Sequence, residues 1–388
     1  MGQKPVTIGL LWHTLGHGNL GVDALTRANI AILEAAANAA GRNANFVLLG
    51  TPGVLDPALT NVVQGPEARL KPLLKAQSPF FSAIRKCDLV VDIGEGDSWT
   101  DIYGARRFAF QTGTKMAAIL GRCPLILAPQ TIGPFDNPIR RKLSDFVMNH
   151  ARAVFSRDSL STSYLASRSL NVETAEFVDV AFRLPFSKEA RVHGLTRVGL
   201  NVSGLLYGQG YTGKNELGMS INYQAFTHRL IERLLARSGV EVHLFSHVSS
   251  ADFSRDDDQP VAVNLIAKYP ALKLAPDFAS ASSAKSFLSG LDFVVAGRMH
   301  ACIGAFSAGV PVVPIAYSRK FNGLFNTLDY PHFVDGKAVK DDEALAIVLD
   351  SFDRREELAC DLERGQAIAE SRLQAYQDRM TTIIGGLS

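Results

Sequence analysis

The chain has 388 residues, more than one hydrophobic core usually holds, so two domains are expected. Hydrophobic residues make up 47% and charged residues 20% of the sequence, which is ordinary for a globular protein. The formal net charge of +2 gives no general attraction for polyanions, so a nucleic acid is not expected as a partner. Any anion site must therefore be local.

The cysteines and the N-terminus indicate the cellular location. The four cysteines lie in or beside apolar runs and lack metal-ligand spacing, so we interpret each as a buried thiol: Cys87, Cys123, Cys302 and Cys360. No signal-peptide pattern follows Met1, and no run approaches the roughly 18 apolar residues of a membrane span. We predict a cytoplasmic protein without a metal site, and leave open a peripheral position at the inner face of the membrane.

In the first half, short β-rich runs alternate with helical patterns, which is typical of a parallel sheet covered by helices. The predicted strands are Val6–Trp12, Phe46–Leu49, Leu89–Ile93, Leu125–Leu127, Ala153–Phe155 and Val172–Phe177. The predicted helices are Asp23–Ala37, Arg106–Leu120, Ile139–Asn149 and Leu160–Ala166. Residues 51–76 carry several Pro and Gly residues and are interpreted as an irregular segment.

The alternation breaks around Leu184–Gly194 and then resumes, which indicates a domain boundary. The second half is predicted to contain strands at Val198–Val202, Val242–Phe245, Phe293–Ala296 and Val312–Ile315, and a long terminal helix over 354–380. The predicted fold class is α/β, with two Rossmann-like domains, residues 1–188 and 189–388, that face a cleft.

Ligands of such domains bind beyond the carboxyl ends of the strands, so residues that follow strands are the candidates for a site. The first strand is followed by a glycine-rich loop, Gly16-His17-Gly18-Asn19-Leu20-Gly21. Its glycines allow backbone N–H groups to approach an anion closely. The loop is interpreted as a ligand loop or as an ordinary tight turn.

The third predicted strand opens into a loop that combines glycines with acidic residues, Gly94-Glu95-Gly96-Asp97-Ser98-Trp99-Thr100-Asp101. Carboxylates would repel a phosphate, but they accept hydrogen bonds from sugar hydroxyls and can remove a proton. Asp97 and Asp101 are therefore candidate catalytic bases, and Asp23, just after the first glycine-rich loop, is a third candidate. The alternative is that Asp97 or Asp101 caps the following helix.

Two further loops carry polar residues after strands. Gln130 and Thr131 follow the fourth strand as neutral donors, and Arg157 follows the fifth. Arg157 is interpreted as part of an anion site or as the partner of a neighbouring acid.

The strongest signal is the segment Val294-Val295-Ala296-Gly297-Arg298-Met299-His300, where a strand runs into a helix. In extended backbone residues i and i+2 point the same way, so Arg298 and His300 are expected to converge on one ligand. The N–H groups of a helix N-terminus add to the attraction for an anion, and Arg offers a bidentate fork. Lys320 follows the next strand and is expected to reach the same site, although a lone Lys is usually a solvated surface charge.

These segments resemble the polysaccharide pyruvyl transferase family from about residue 7 to about residue 335. The matching segments are Gly18–Gly21, Asp92–Asp101, Pro129–Pro134, Arg157–Ser159, Ser246-His247 and Gly297–Pro311. Two departures concern the acceptor side: Val22 stands where the family often has Asp, and the second loop carries Glu95 and Asp97.

The resemblance implies a fold similar to the two-domain (GT-B-type) glycosyltransferases and a pyruvyl transfer from phosphoenolpyruvate to a sugar, forming a ketal. By matching position, Arg157, Arg298, His300 and Lys320 look like the donor clamp, with His300 also a candidate catalytic acid. The other predicted substrate-binding residues are Asn19, Gly94, Gly96, Gln130 and His247. The implied partners are phosphoenolpyruvate and a sugar or lipid-linked oligosaccharide, with no cofactor; transient membrane contact and a homo-oligomer stay open.

Two other functions are compatible with the same architecture. One is a nucleotide-sugar-dependent glycosyltransferase or epimerase, which often carries a Gly-Gly pair and a ribose-binding acid where this chain has Arg298 and His300. The other is a catalytically silent homologue that binds a sugar or an anion.

Overall fold

The structure is a computed structural model that describes residues 4–16, 18–69, 78–96, 99–249 and 255–387, without the side chains of residues 319, 320 and 322. The chain divides into two compact units. Unit 1 contains Met1–His17, Leu25–Arg183 and Glu370–Ser388, and unit 2 contains Gly18–Ala24 and Leu184–Ala369.

Unit 1 is an α/β unit built on a parallel sheet. Its strands are β1 (Val6–Leu11), β2 (Ala44–Gly50), β3 (Val62–Glu67), β4 (Leu89–Asp92), β5 (Leu125–Gln130), β6 (Ala153–Ser156) and β7 (Thr174–Glu176). Its helices are α1 (Leu20–Ala39, whose first turn belongs to unit 2), α2 (Pro79–Ile84), α3 (Ala105–Leu120), α4 (Pro138–His150) and α5 (Ser159–Ala166), with short 3₁₀ turns at Gly94–Gly96 and Val180–Arg183.

Unit 2 repeats this organisation. Its strands are β8 (Thr196–Asn201), β9 (Val240–Leu244), β10 (Lys273–Leu274), β11 (Phe293–Ala296), β12 (Val312–Ala316) and β13 (Val334–Asp335). Its helices are α6 (Gly204–Tyr207), α7 (Tyr223–Leu235), α8 (Gln259–Lys268), α9 (Ala281–Ser289), α10 (Met299–Ser307), α11 (Arg319–Thr327), α12 (Asp341–Asp353) and the first half of α13 (Arg355–Gly385).

Every strand pair in both sheets is parallel, which confirms the predicted α/β class. Within the described residues, the strand order is β3-β2-β1-β4-β5-β6-β7 in unit 1 and β10-β9-β8-β11-β12-β13 in unit 2. The order reverses between β1 and β4 and between β8 and β11. Loops at the carboxyl ends of such neighbouring strands diverge and leave room for a ligand.

Each unit includes a short segment from the other half of the chain. The predicted single boundary at residue 188 does not describe this exchange. The terminal helix α13 contributes Leu358 and Leu362 to the interior of unit 2, then continues into unit 1. There the fully buried Tyr376 packs against Phe155 and Phe177, with ring centroids 5.9 and 5.4 Å away. The sequence pattern predicts this helix, but it does not predict which hydrophobic core each turn of the helix packs into.

Two sequence-based predictions fail. The segment interpreted as irregular contains β3, whose Gly65 and Pro66 weaken the strand signal but are tolerated because β3 is an edge strand. Cys360 is exposed on α13, whereas Cys87, Cys123 and Cys302 are buried as expected. Among the described residues, no helix combines the length and the apolarity needed to cross a membrane.

Candidate functional site

The candidate site of unit 2 lies where the strand order reverses. Strands β8 and β11 pair with each other, with Asn201 opposite Ala296. Both strands therefore end at the same level of the sheet. Gly297 follows Ala296 in a tight place, since a Cβ there would lie 2.8 Å from the hydroxyl of Tyr223 and 3.0 Å from Ser203 Cβ. A side chain at this position would push the loop away, so the glycine sets the path into Arg298.

Asp258, fully buried before α8, connects the loops of this site. Its two carboxylate oxygens accept hydrogen bonds from the Asn201 amide at 3.0 Å, the Gly204 N–H at 2.8 Å, the His247 and Val248 N–H groups at 3.1 and 3.2 Å, and Arg298 Nε and Nη2 at 3.1 and 2.7 Å. One carboxylate thereby holds the loops after β8, β9 and β11 together.

Arg298 is oriented by carboxylates rather than left open to solvent. Besides its two bonds to Asp258, its Nη1 donates to Asp256 Oδ1 at 2.6 Å and its Nη2 to the Asp256 carbonyl, and only 10% of the side chain is exposed. Burial disfavours the charged guanidinium, but the carboxylates of Asp258 and Asp256 more than offset this and raise the pKa of Arg298. The fork predicted to hold a ligand is occupied by these acids in this structure.

His247 is the most unusual side chain of the site. It is 4% exposed, and neither ring nitrogen has a hydrogen-bond partner among the described residues. Burial, together with the nearby His300 and Arg298, lowers its pKa from 6.5 to about 3, so the imidazole is neutral at physiological pH. Buried polar groups are normally paired, so two unpaired nitrogens suggest that a ligand satisfies them.

His13 in unit 1 shows what a paired buried histidine looks like. Burial lowers its pKa to about 3 as well. However, its Nδ1 lies 3.0 Å from the Leu11 carbonyl and its Nε2 lies 2.9 Å from the amide nitrogen of Asn29. His13 therefore completes a core network, whereas His247 does not.

His300 is packed against the first turn of α1. A Cβ on Gly21 would lie 2.5 Å from His300 Nδ1, so only glycine fits there. Asn19 accepts a hydrogen bond from the Gly21 N–H at 2.9 Å, and the Leu20 N–H donates to the His247 carbonyl at 3.1 Å. The predicted glycine-rich loop thus belongs to the same cluster as His247 and His300.

Arg298 and His300 do not meet through the alternation of an extended strand. β11 ends at Ala296 and α10 begins at Met299, so Arg298 is the N-cap and His300 is the second helical residue. The prediction that Arg298 and His300 point the same way from extended backbone is therefore wrong. The structure places both residues beside His247 through loop packing instead.

In unit 1, Arg157 lies buried after β6. Its Nη1 donates to Asp179 at 2.6 Å and its Nε to the Thr131 hydroxyl at 3.1 Å, while its Nη2 has no hydrogen-bond partner in the described chain. The interpretation of Arg157 as the partner of an acid matches this geometry, although one nitrogen remains for a ligand.

The acidic glycine loop of unit 1 is held by internal bonds. Gly94, Glu95 and Gly96 all have positive φ angles, and Glu95 accepts from the Thr51 hydroxyl at 2.7 Å and from Arg107 at 3.3 Å. Asp101 accepts from the Asn137 N–H at 2.9 Å at the start of α4, which is a structural use of that carboxylate.

Beneath this loop lies a buried ion pair between Asp92 and Lys115, with Oδ2 and Nζ 3.2 Å apart. Gln130 donates to the same Asp92 oxygen at 2.9 Å. Asp92 Oδ1 and Gln130 Oε1 lack hydrogen-bond partners among the described residues, which leaves two acceptor atoms below Gly94. Such acceptors match the hydroxyl groups of a sugar or a bound water.

The remaining predicted site residues are Asp97, Lys320 and Asp23. Asp97 lies outside the described residues, and for Lys320 only the backbone, in the first turn of α11, is described. Asp23 is buried and accepts from the N–H of Ala281, at the start of α9, at 2.8 Å. In the described part of the chain, no group of three or more His, Cys, Asp or Glu residues could hold a metal ion.

Sequence reasoning missed Asn201, Asp256 and Asp258. The signal was present as an acidic run before a helix, Asp256-Asp257-Asp258-Gln259-Pro260, but such a run is equally typical of a helix cap. Only the packing of three loops shows that Asp258 organises the site.

Asp258→Asn should reduce the free energy of unfolding by about 3–5 kcal/mol, because it leaves the buried Arg298 without its main counter-charge. The matched control is Asp353→Asn, which breaks the surface pair with Arg237 and should cost no more than about 1 kcal/mol. Urea unfolding of the purified variants measures both values, and equal losses would contradict the organising role of Asp258.

His247 should make the fold sensitive to acid. Its pKa is about 3 in the folded protein, against an ordinary value of 6.5 for an exposed histidine of the unfolded chain. The unfolded chain therefore binds the extra proton below pH 6.5, and stability is lost as the pH falls towards 3. Between pH 7 and pH 5 this contribution is about 2 kcal/mol.

The free energy of unfolding of His247→Asn should therefore fall less on acidification than that of the natural chain. The exposed His193→Asn variant is the control and should keep the natural slope. Identical slopes in all three proteins would show that His247 is not the buried neutral group described above.

The chain is similar to a protein of polysaccharide biosynthesis. Over 310 residues the chain is 21% identical to the amylovoran biosynthesis protein AmsJ of Erwinia amylovora, an alignment that covers 76% of this chain and 72% of that protein.

Solved structures share the fold. The HepE protein of Anabaena, solved in complex with UDP and glucose, matches with a TM-score of 0.59 at 12% identity, covering 97% of this chain and 98% of that one. A protein of Listeria monocytogenes described as a UDP-N-acetylglucosamine 2-epimerase matches with a TM-score of 0.55 at 14% identity, covering 97% and 94%. At these identities the likeness shows two Rossmann-like domains of the GT-B type and nothing about substrates.

The sequence profile of one protein family matches residues 19–319, most of the chain, and this range includes Asn19, Arg157, His247, Arg298 and His300. The chain therefore belongs to the polysaccharide pyruvyl transferase family.

Proposed function

We propose that the chain transfers a pyruvyl group from phosphoenolpyruvate to hydroxyls of a sugar, in a polysaccharide or a lipid-linked oligosaccharide, and forms a ketal. Family membership and similarity to an amylovoran biosynthesis protein support the role of a transferase in polysaccharide biosynthesis. The observation that carries the donor assignment is the cluster of Arg298, His247 and His300 at the carboxyl edge of the second sheet.

The donor has a carboxylate and a phosphate on one small enol, so it needs several hydrogen-bond donors and cations close together. Arg298 supplies its Nη1, which Asp256 holds in this structure, and His247 supplies an N–H that no described residue accepts. His300 stands at the N-terminus of α10, where backbone N–H groups favour an anion. The proposed donor site therefore lies among the loops held by Asp258.

Asp256 is proposed to occupy the place of the donor anion when no donor is bound. Asp258 binds Arg298 through Nε and Nη2 and is fully buried, whereas the Asp256 side chain is 20% exposed. An incoming carboxylate or phosphate would replace Asp256 at Nη1 and leave the buried pair intact. The guanidinium would then keep its orientation throughout.

The reaction requires one proton donor and removal of two hydroxyl protons. The methylene carbon of the donor gains a proton, which makes C2 oxocarbenium-like, and a sugar hydroxyl adds to C2. A second hydroxyl then displaces the phosphate as the C2–O bond breaks, which closes the ketal and releases inorganic phosphate. His300 is the proposed acid, and buried donors around the anion stabilise the charge that develops.

The acceptor is proposed to bind unit 1. Asp92 Oδ1 and Gln130 Oε1 are acceptor atoms without partners in the described chain, which suits the O–H groups of a sugar. Arg157 Nη2, which has no hydrogen-bond partner among the described residues, is proposed to bind an anionic group of a substrate. Asp101 is a weaker base candidate than the sequence suggested, because its carboxylate already accepts the Asn137 N–H.

Two variants should change donor kinetics in opposite directions. Arg298→Lys keeps the charge but loses the fork, so kcat/KM for phosphoenolpyruvate should fall about 10- to 100-fold. Asp256→Asn removes the competing carboxylate, so the KM for phosphoenolpyruvate should decrease. The measurement is phosphate release from phosphoenolpyruvate with a panel of free and lipid-linked oligosaccharides, with chelator present.

The exposed Arg233→Lys variant is the control and should behave like the natural chain. Parallel losses in Arg298→Lys and Asp256→Asn would show that the cluster is only structural. Turnover of UDP- or GDP-sugars without phosphate release from phosphoenolpyruvate would overturn the proposed function in favour of a nucleotide-sugar enzyme.

A further inference from the structure

A cavity at the start of α3 in unit 1 lies beside the acidic glycine loop but contains none of the site residues predicted from the sequence. Its volume is about 520 Å³, and its lining consists of Arg69, Tyr103, Arg106, Arg107 and Phe110. Ligand sites commonly have volumes of roughly 300–1,000 Å³ and combine aromatic or apolar walls with a few polar groups. Two aromatic rings and three guanidinium groups suit a ligand that has an apolar face and a negative charge.

The acidic residue of the neighbouring loop shapes one wall of this cavity. Glu95 accepts a hydrogen bond from the Thr51 hydroxyl at 2.7 Å, and its other carboxylate oxygen lies 3.3 Å from Arg107 Nη2. The Arg107 guanidinium lies 5.8 Å from the centre of the Tyr103 ring, a distance at which an aromatic face attracts a cation. Glu95 thus orients Arg107, and Arg107 supports Tyr103. A position where this chain departs from the family pattern therefore builds the cavity wall.

The aromatic side of the cavity is fixed by core packing. Phe110 packs edge-to-face against the buried Trp12, with ring centroids 4.9 Å apart, and the Trp12 indole N–H donates to Thr114 at 2.9 Å. Tyr103 is 40% exposed, so its ring is available to a ligand. Aromatic rings offer large, rigid apolar faces, and the C–H face of a sugar ring is an apolar surface that packs against them.

Two arginines of the lining keep donors for an anion. Arg69 uses its Nε, which lies 2.9 Å from Glu67, so its two Nη groups have no partner among the described residues. Arg106 is exposed and makes no hydrogen bond or ion pair within the part of the chain that the structure describes. Glu67 and Glu95 offset two of the three positive charges of the lining, which leaves Arg106 without a counter-charge in the described chain.

The cavity and the proposed acceptor atoms lie on either side of one turn, Gly94–Gly96. A Cβ at Gly94 would lie 2.7 Å from Gln130 Oε1, and the Gly94 carbonyl accepts from Gln111 Nε2 at 3.2 Å. Gln111 directly follows Phe110 of the cavity lining in α3. A sugar chain with one residue near Gln130 can therefore place a neighbouring residue in the cavity.

We propose that this cavity, the α3 cavity, is a second acceptor subsite that binds a sugar carrying a carboxylate or a phosphate group. The inference rests on the proposed binding of the acceptor to unit 1, and it adds recognition of a charged sugar next to the one that receives the pyruvyl group. Tyr103 and Phe110 contact the sugar ring, while Arg69 and Arg106 bind the anionic group. A planar guanidinium binds either anion through two parallel hydrogen bonds.

Titration calorimetry of the whole chain without phosphoenolpyruvate tests the subsite. One pair of probes is cellobiouronic acid and cellobiose, which differ only by a carboxylate in place of a hydroxymethyl group. The natural chain should bind the acid about tenfold more tightly, and the difference should shrink as salt is added. A second pair, glucose 1-phosphate and glucose, shows whether phosphate serves as the anion instead of a carboxylate.

Variants separate the roles of the charges and of the aromatic wall. Arg69→Gln/Arg106→Gln should abolish the preference for the charged probes and leave cellobiose binding unchanged. Tyr103→Ala should weaken both disaccharides by a similar factor, because both lose the same ring contact. The matched control, Arg85→Gln/Arg152→Gln, removes two exposed arginines of unit 1 outside the cavity and should bind every probe like the natural chain.

Equal binding of charged and neutral probes by the natural chain would overturn the subsite. An unchanged preference in Arg69→Gln/Arg106→Gln, or a matching loss in the control, would overturn it too. Failure of the proposed reaction looks different: a chain that binds cellobiouronic acid but releases no phosphate from phosphoenolpyruvate keeps the subsite and refutes the transfer. Phosphate release with neutral acceptors and no preference for charged probes would do the reverse.

Discussion

The buried carboxylate of Asp258 is the constraint on which the second unit's site depends. It lies forty residues before Arg298 in the chain, yet its two oxygens bind groups from the loops after β8, β9 and β11. A buried carboxylate is stable only if its charge is balanced and its lone pairs are filled, and Arg298 with four neutral donors does both. The same bonds fix the direction of the guanidinium, so Arg298 has a structural role as well as the proposed functional one.

The cluster contains one well-satisfied part and one unsatisfied part. Asp258 and Asn201 have complete sets of partners, whereas His247 is buried with both ring nitrogens unpaired in the described chain. Unit 1 shows a similar contrast, because the paired His13 lies in the core while Asp92 and Gln130 each keep an acceptor atom without a partner. Asp92 and Gln130 end β4 and β5, and His247 follows β9, so these three side chains lie at the carboxyl ends of strands, the edge where this fold binds ligands.

Much of the fold could be predicted, because parallel α/β units are recognised from apolar runs that alternate with amphipathic helices. The strand Phe293–Ala296 was predicted with its observed bounds, and the family resemblance is confirmed. The predictions that failed depend on tertiary contacts. β3 was missed because an edge strand tolerates Gly65 and Pro66, and the proximity of Arg298 and His300 arises from a helix N-terminus rather than from strand alternation. Asp258 was missed because its partners are distant in sequence.

The central claim is that the cluster of Arg298, His247 and His300 binds phosphoenolpyruvate. Isothermal titration calorimetry without acceptor tests this claim most directly. The account predicts saturable binding of phosphoenolpyruvate to the natural chain, weaker binding of pyruvate or inorganic phosphate, and loss of binding in Arg298→Ala under conditions where that variant is folded. Binding of UDP-N-acetylglucosamine or GDP-mannose with no heat from phosphoenolpyruvate would contradict it.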